Sequence, residues 1–401
     1  MSESSQSPRS ASRRVPTLVL VLLPLVLLGG LVWWFIAADP TEALRPDIPP
    51  IEQLSIQRVV LEPDQITLHV INDGPDPVTI AQVLVDTAYW NFEIEPSQTL
   101  GRLGRATVGI AYPWVKDEAH VVTLITSTGL TFEKEIAVAV TSPKPTAELF
   151  GIFALLGVYV GVIPVALGLL WLPALRRTSG KWLDFFLFLT IGLLVFLGFD
   201  ALAEALETIE QVPHVYQGVG LLVIGGLGSF ALLTALGKTL TSGGDQAPQA
   251  SLAISYMVAA GIGLHNLAEG LAIGATYAIG EIALGAMLVL GFTLHNVTEG
   301  LAIVAPLARS GARIGQLVAL GAIAGVPTIF GAWIGGFMYA PLWALVFLAI
   351  GAGAIFQVAW QITAQLARQR GGVEAVLDFT NVCGLLAGFA LMYTTGMLVA
   401  V

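Results

Sequence analysis

Two stretches of the chain carry nearly the same string of residues able to hold a metal ion. One reads Gly263-Leu264-His265-Asn266-Leu267-Ala268-Glu269-Gly270-Leu271-Ala272-Ile273, the other Thr293-Leu294-His295-Asn296-Val297-Thr298-Glu299-Gly300-Leu301-Ala302-Ile303. At about 100° per residue, His and Glu four apart return to one helix face, with Asn on its flank. Imidazole with carboxylate suits zinc, iron, manganese, cobalt or nickel, whereas magnesium and calcium take oxygen alone. A metalloprotease helix would need two His four apart with Glu beside the first; here the fourth-position residue is Glu and the neighbour Asn.

The setting makes these residues conspicuous. Both strings lie near the middle of long apolar segments, 250–278 and 281–306, where an ionised side chain costs about 2.5–3.5 kcal/mol even on a lenient insertion scale. The short turn at Gly280-Glu281 makes the two segments antiparallel, so the strings meet at one depth and offer two imidazoles, two carboxylates and two amide oxygens. A cation bridging the carboxylates would compensate their charge. Gly261, Gly263, Gly270, Gly291 and Gly300 let neighbouring helices approach closely. The competing reading, that His and Asn are interhelical hydrogen-bond glue, suits a single copy better than two copies at matched depth.

The elements that must position these residues follow from the rest of the chain. Its 401 residues are 55% hydrophobic and 11% charged, the composition of a polytopic α-helical membrane protein. From 147 to 401 runs an expected eight-helix transport domain, with segments at 148–174, 183–207, 214–237, 250–278, 281–306, 314–339, 342–367 and 374–400. Basic residues fall in alternate connections, at Arg176, Arg177 and Lys181, at Lys238, at Arg309 and Arg313, and at Arg368 and Arg370. The positive-inside rule puts those connections in the cytoplasm and both ends of the unit outside. Thr241 to Gln249, rich in Gly, Ser and Pro, reads as part of a cytoplasmic loop at about 238–249.

Ahead of this unit, residues 1–16 read as a cytoplasmic tail with Arg9, Arg13 and Arg14. An anchor helix over 17–37 follows, ending at Trp33-Trp34, with a cleavable signal peptide as the alternative. Residues 40–145 alternate apolar and polar, as in Gln65-Ile66-Thr67-Leu68-His69-Val70-Ile71, between turns such as Asn72-Asp73-Gly74-Pro75. About seven such runs suggest an external all-β, immunoglobulin-like domain.

Other residues narrow the function. A net charge of -10 with no concentrated Lys or Arg excludes nucleic acid as a partner, and the single cysteine, Cys383, excludes a disulfide framework or thiolate cluster. Asp200, Glu204 and Glu207 share a helix face and can form an acidic entrance for cations, or simply a solvated helix end. Gln357, Gln361 and Gln365 form a neutral stripe that either lines a water-filled path or bonds to neighbouring helices. His69, His120 and His214 stand without ligand-spaced partners and read as packing or interfacial residues.

At its doubled string the chain resembles the ZIP family of divalent metal transporters, of bacterial or archaeal type, over about 147–401. Helix count, external ends and the variable third-to-fourth loop agree with that resemblance. It implies a two-metal transport site in which His265, Asn266 and Glu269 match the fourth-helix ligands and His295, Asn296 and Glu299 the fifth-helix ones. It further implies uptake of zinc, iron or manganese into the cytoplasm, with the metal as substrate and no prosthetic cofactor. Three departures stand out. Ala268 and Thr298 replace the proline that many relatives have before the motif Glu, Val326-Pro327 stands where the sixth helix often offers Glu-Pro, and a second-helix ligand would fall near Asp200 or Ala201. An intramembrane zinc hydrolase is the alternative function, disfavoured because the membrane core has no third His. The expected setting is the plasma membrane, with divalent cations and the bilayer as partners and a homodimer left open.

Overall fold

The computed structural model describes residues 17–38, 49–178, 180–241, 247–310, 312–338, 340–372, 374 and 377–397, in two units, Met1–Pro50 and Ile51–Val401. The expected tail, 1–16, and the centre of the expected loop, 242–246, lie outside the described residues. In the first unit, α1 (Thr17–Ala38) is a 22-residue helix, apolar all round apart from its ends.

The second unit opens with nine strands, β1 (Leu54–Glu62), β2 (Gln65–Asn72), β3 (Val78–Val85), β4 (Ala88–Trp90), β5 (Phe92–Glu95), β6 (Thr99–Leu100), β7 (Arg105–Ile110), β8 (His120–Thr126) and β9 (Thr131–Ile136). Two antiparallel sheets result, ordered β1-β2-β7-β5 and β4-β3-β8-β9, with β6 pairing β3. Alternation does its work here: Ile66, Leu68 and Val70 of one sheet are buried in a single core with Val83, Val122 and Leu124 of the other, each burial stabilising by about 1.5–3 kcal/mol. The count exceeds the expected seven because β4 and β6, of three and two residues, are too short to show a period. His120 is buried, with Nδ1 2.7 Å from Asp86 Oδ2, a packing role as expected.

Among the described residues, seven helical spans are long and apolar enough to cross a membrane. The first is broken into α2 (Ala147–Gly157), a π-helical turn (Val158–Val162), α3 (Ile163–Leu169) and α4 (Leu172–Arg176). Then come α5 (Gly180–Ile209), α6 (Gly218–Thr241), α7 (Ala247–Ala278) and α8 (Ile282–Val304). The sixth span is α9 (Ile314–Gly325) followed by α10 (Pro327–Met338), and the seventh is α11 (Pro341–Arg370). The eighth expected segment is helical as α12 (Phe379–Gly396) but is not among those seven, because Asn381 and Thr380, Thr394 and Thr395 dilute its apolarity. It still packs closely on α5: a Cβ added at Gly388 would lie 2.3 Å from the Leu189 carbonyl oxygen. The expected loop 238–249 is shorter than it reads. Helix α6 continues to Thr241 and α7 starts at Ala247, since Pro248 in a first helical turn needs no N–H partner.

Two helix breaks shape the interior. Pro164 lacks an N–H and cannot make the α-helical bond to the Val160 carbonyl four residues earlier, and the chain widens into the π turn. Pro327 ends α9 in the same way. The two broken spans cross at Gly161 and Gly325, where a Cβ on Gly161 would sit 2.5 Å from the Gly325 carbonyl oxygen. Connections at the β-domain end are held by that domain. Asp73 Oδ2 and Oδ1 accept from the His214 and Val215 N–H groups at 2.6 and 2.7 Å, and Arg105 reaches the Tyr216 hydroxyl at 3.1 Å.

Candidate metal centre

Helices α7 and α8 run antiparallel from the turn at Gly280, whose φ of +83° suits glycine, and bring the two strings face to face. His265, Glu269, His295 and Glu299 each offer a ligand atom, and those four atoms all lie within 4.8 Å of one another. All four residues are at most 4% exposed. Glu269 is the hub: Oε1 contacts His295 Nε2 in a short hydrogen bond and lies 3.3 Å from His265 Nε2, while Oε2 accepts from Asn296 Nδ2 at 2.9 Å. Both Glu299 oxygens and His265 Nδ1 are buried without a hydrogen-bond partner.

The asparagines are oriented by the two broken spans. Asn296 Nδ2 donates to the Val160 carbonyl at 3.0 Å, the group to which Pro164 cannot make the α-helical bond. Asn266 Nδ2 donates to the Ala324 carbonyl at 3.1 Å, in the last turn of α9, where helix-end carbonyls lack partners. Each bond fixes the amide so that its Oδ1 is turned away from the carbonyl, and both Oδ1 atoms are buried without a donor. The glycine after each Glu brings the same broken spans into contact. A Cβ on Gly270 would lie 2.1 Å from the Thr328 carbonyl oxygen, and one on Gly300 2.3 Å from that of Val165. Asn and Gly therefore act together, one binding and one admitting a neighbouring backbone, four residues apart.

The six string residues thus converge, four as a compact His/Glu cluster and two as amide oxygens beside it. Asp200 and Glu207 are exposed on α5 and Glu204 is half-buried, and none of the three is among the four clustered ligand residues. Ala201 is fully buried against apolar neighbours including Ala268, so at that level α5 presents a methyl group and not a ligand. Val326 caps α9 and supplies no donor side chain.

A family model described as ZIP zinc transporter matches residues 234–396. Over those residues the chain is similar to the ZIP family. The match includes both strings, and the family is one of metal transporters, not of enzymes. No curated protein matches the chain. Among solved structures, the archaellum periplasmic stator protein FlaG from Sulfolobus acidocaldarius is similar at 12% identity, over 21% of this chain and 99% of that one, with a TM-score of 0.19. The residue types of the six candidate ligands are readable from sequence, but their orienting partners, the Val160 and Ala324 carbonyls, are not. Pro164 is the signal that marks the first, because a proline cannot donate to the carbonyl four residues before it.

Proposed function

We propose that the chain carries divalent transition-metal ions, zinc foremost, across the plasma membrane into the cytoplasm, with His265, Asn266, Glu269, His295, Asn296 and Glu299 as ligands. One observation carries the reading: two imidazoles and two carboxylates converge within 4.8 Å in the buried interior of the spans, an arrangement whose uncompensated charge favours a bound cation. Ligand type favours zinc or a neighbouring first-row metal over calcium or magnesium. The inward direction rests on the resemblance, and the orientation on the basic connections, which leave the β domain and the chain's C-terminal end outside. The helix α1 then acts as an anchor. Glu204, with Asp200 and Glu207 outward of it, serves the entrance. With Val326 in the sixth span, a second metal would lack one carboxylate.

Zinc uptake into proteoliposomes tests this. His265→Ala and Glu269→Ala each remove a ligand and should abolish uptake at wild-type protein density, while Gln98→Ala on the β domain should not. Uptake at the wild-type rate by either ligand variant would return the strings to the role of interhelical hydrogen-bond glue.

A further inference from the structure

At the end of the bundle that bears Arg176, Arg309 and Arg370, a cavity of about 280 Å³ is lined by Asp184, Ser251, Arg309 and Gln365 among others. One turn inward from this lining, on the same helix faces, stand buried polar atoms with no protein partner. Ser255 Oγ lies four residues from Ser251 on α7, and Thr190 Oγ1 three residues from the lining Leu187 on α5; both residues are 0% exposed. On α11 the face continues from Gln365 through Gln361 to Gln357, whose Nε2 donates to Gln361 Oε1 at 2.8 Å and whose Oε1, in a residue 2% exposed, has no donor.

This face leads toward the metal centre. Helix α11 passes beside the His265 backbone at Gly351, where a Cβ would lie 3.4 Å from the His265 nitrogen. Gln357 is six residues further along, about 9 Å at 1.5 Å per residue. The core around that interval includes Ile262, Leu197 and Ile355, each at most 2% exposed, an apolar collar of the kind that closes a path by excluding water. Polar chemistry resumes below it, and it is neutral. Carboxamides and hydroxyls hold a hydrated cation through its waters without trapping it, as passage requires. Among the described residues that line the far mouth the one carboxylate, Asp184, is already paired with Arg370.

We propose that Gln357, Gln361 and Gln365 form the exit ladder for the hydrated divalent cation, from the apolar collar to the cavity at Asp184. The inference rests on the transport reading above and adds the route. The probe is radioactive zinc, with full-length protein in proteoliposomes. Gln357→Leu keeps the bulk and removes the polar atoms, and should slow uptake at saturating zinc by about tenfold, the factor that one lost polar contact of ordinary strength carries in rate. Zinc affinity of the centre, measured by equilibrium binding in detergent, should stay within about twofold, since the ladder holds no ligand. Gln357→Asn should restore most of the rate. Uptake by Gln357→Leu within about twofold of wild type would overturn the proposal, whereas undiminished uptake by His265→Ala would instead overturn the transport reading. For the case in which Gln357→Leu fails to fold, Ser255→Cys in a Cys383→Ser background gives a second readout. During zinc turnover it should react with a small water-soluble thiol reagent faster than Ala354→Cys in the same background, and equal rates would equally refute the ladder.

Discussion

Replacing Gly300 with Ala adds one methyl group where α8 touches α3. An ideal Cβ there would lie 2.3 Å from the Val165 carbonyl oxygen and 2.7 Å from the Gly168 Cα. Non-bonded carbon contacts settle at about 3.5–4.0 Å, so the helices must part by on the order of 1 Å. Overpacking of this kind costs about 1–3 kcal/mol of stability. The larger effect falls on the centre: Glu299 is the adjacent residue, and the Asn296 bond to Val160 spans the same seam at 3.0 Å. Metal bonds tolerate only about 0.2 Å, and losing an orienting partner weakens metal binding by about 10- to 100-fold. Zinc titration of purified Gly300→Ala should therefore show affinity reduced by at least tenfold, with uptake reduced in parallel. Gly151→Ala in α2 is the control, because a Cβ there meets nothing within 4 Å and helix propensity favours Ala by about 1 kcal/mol. Gly168→Ala probes the same seam from the other side, so the double variant should be scarcely worse than either single one. Unchanged zinc affinity in Gly300→Ala would show that the helices slide without cost, and the close-approach argument would fall.

Three further outcomes are expected. Asn266→Leu and Asn296→Leu each remove an amide oxygen and an orienting bond, and should weaken zinc binding by about 10- to 100-fold, read by the same titration; equal affinity to wild type would exclude the amides from the ligand set. In the β domain, burial pushes the Asp86 carboxyl up, but hydrogen bonds from His120, the Val121 N–H and the Tyr112 hydroxyl outweigh it and hold the group below its ordinary 3.8. A depressed folded value gives stability that is present above the unfolded value and lost as pH falls through the folded one. Asp86→Asn should accordingly raise hydrogen exchange in 112–121 of the full-length protein at neutral pH and flatten its rise in acid below about pH 4; an unaltered acid profile would count against the network. Orientation is checked in a Cys383→Ser background in intact cells, where Gln98→Cys should label with an impermeant thiol reagent and Arg177→Cys should not, the reverse pattern inverting the direction of transport.

Sequence reading reached the clustered His and Glu residues because their chemistry is written in residue types and a four-residue spacing. It reached the sandwich because Ile66, Leu68 and Val70 alternate with polar neighbours. It did not reach the features carried by backbone. The segment 148–174 is apolar throughout, and nothing in Val158-Tyr159-Val160-Gly161-Val162 announces a π turn; only Pro164 hints at the freed carbonyl. Likewise Asn266 and Asn296 look like two more ligands, while their pairing with Ala324 and Val160 depends on a crossing of distant spans. Pro248 misled in the other direction, because proline punctuates loops and opens helices with equal ease. Spacing groups Glu204 with Asp200 and Glu207, yet burial separates it from them.

The Asp73 contact bears on how the molecule is made. The carboxylate and the two N–H groups it accepts from are 141 and 142 residues apart in the chain, and the strands around Asp73 are synthesised before any of the seven spans. Domains fold as units during synthesis, N-terminal ones first. The β domain can thus be complete while the spans are still emerging, with Asp73 waiting for amides that are delivered only when α5 has crossed and the His214–Tyr216 turn has appeared beside it. Capture of that turn would register the arrival of the second span and favour the correct insertion of the third, giving the domain a part in assembly separate from any part in transport.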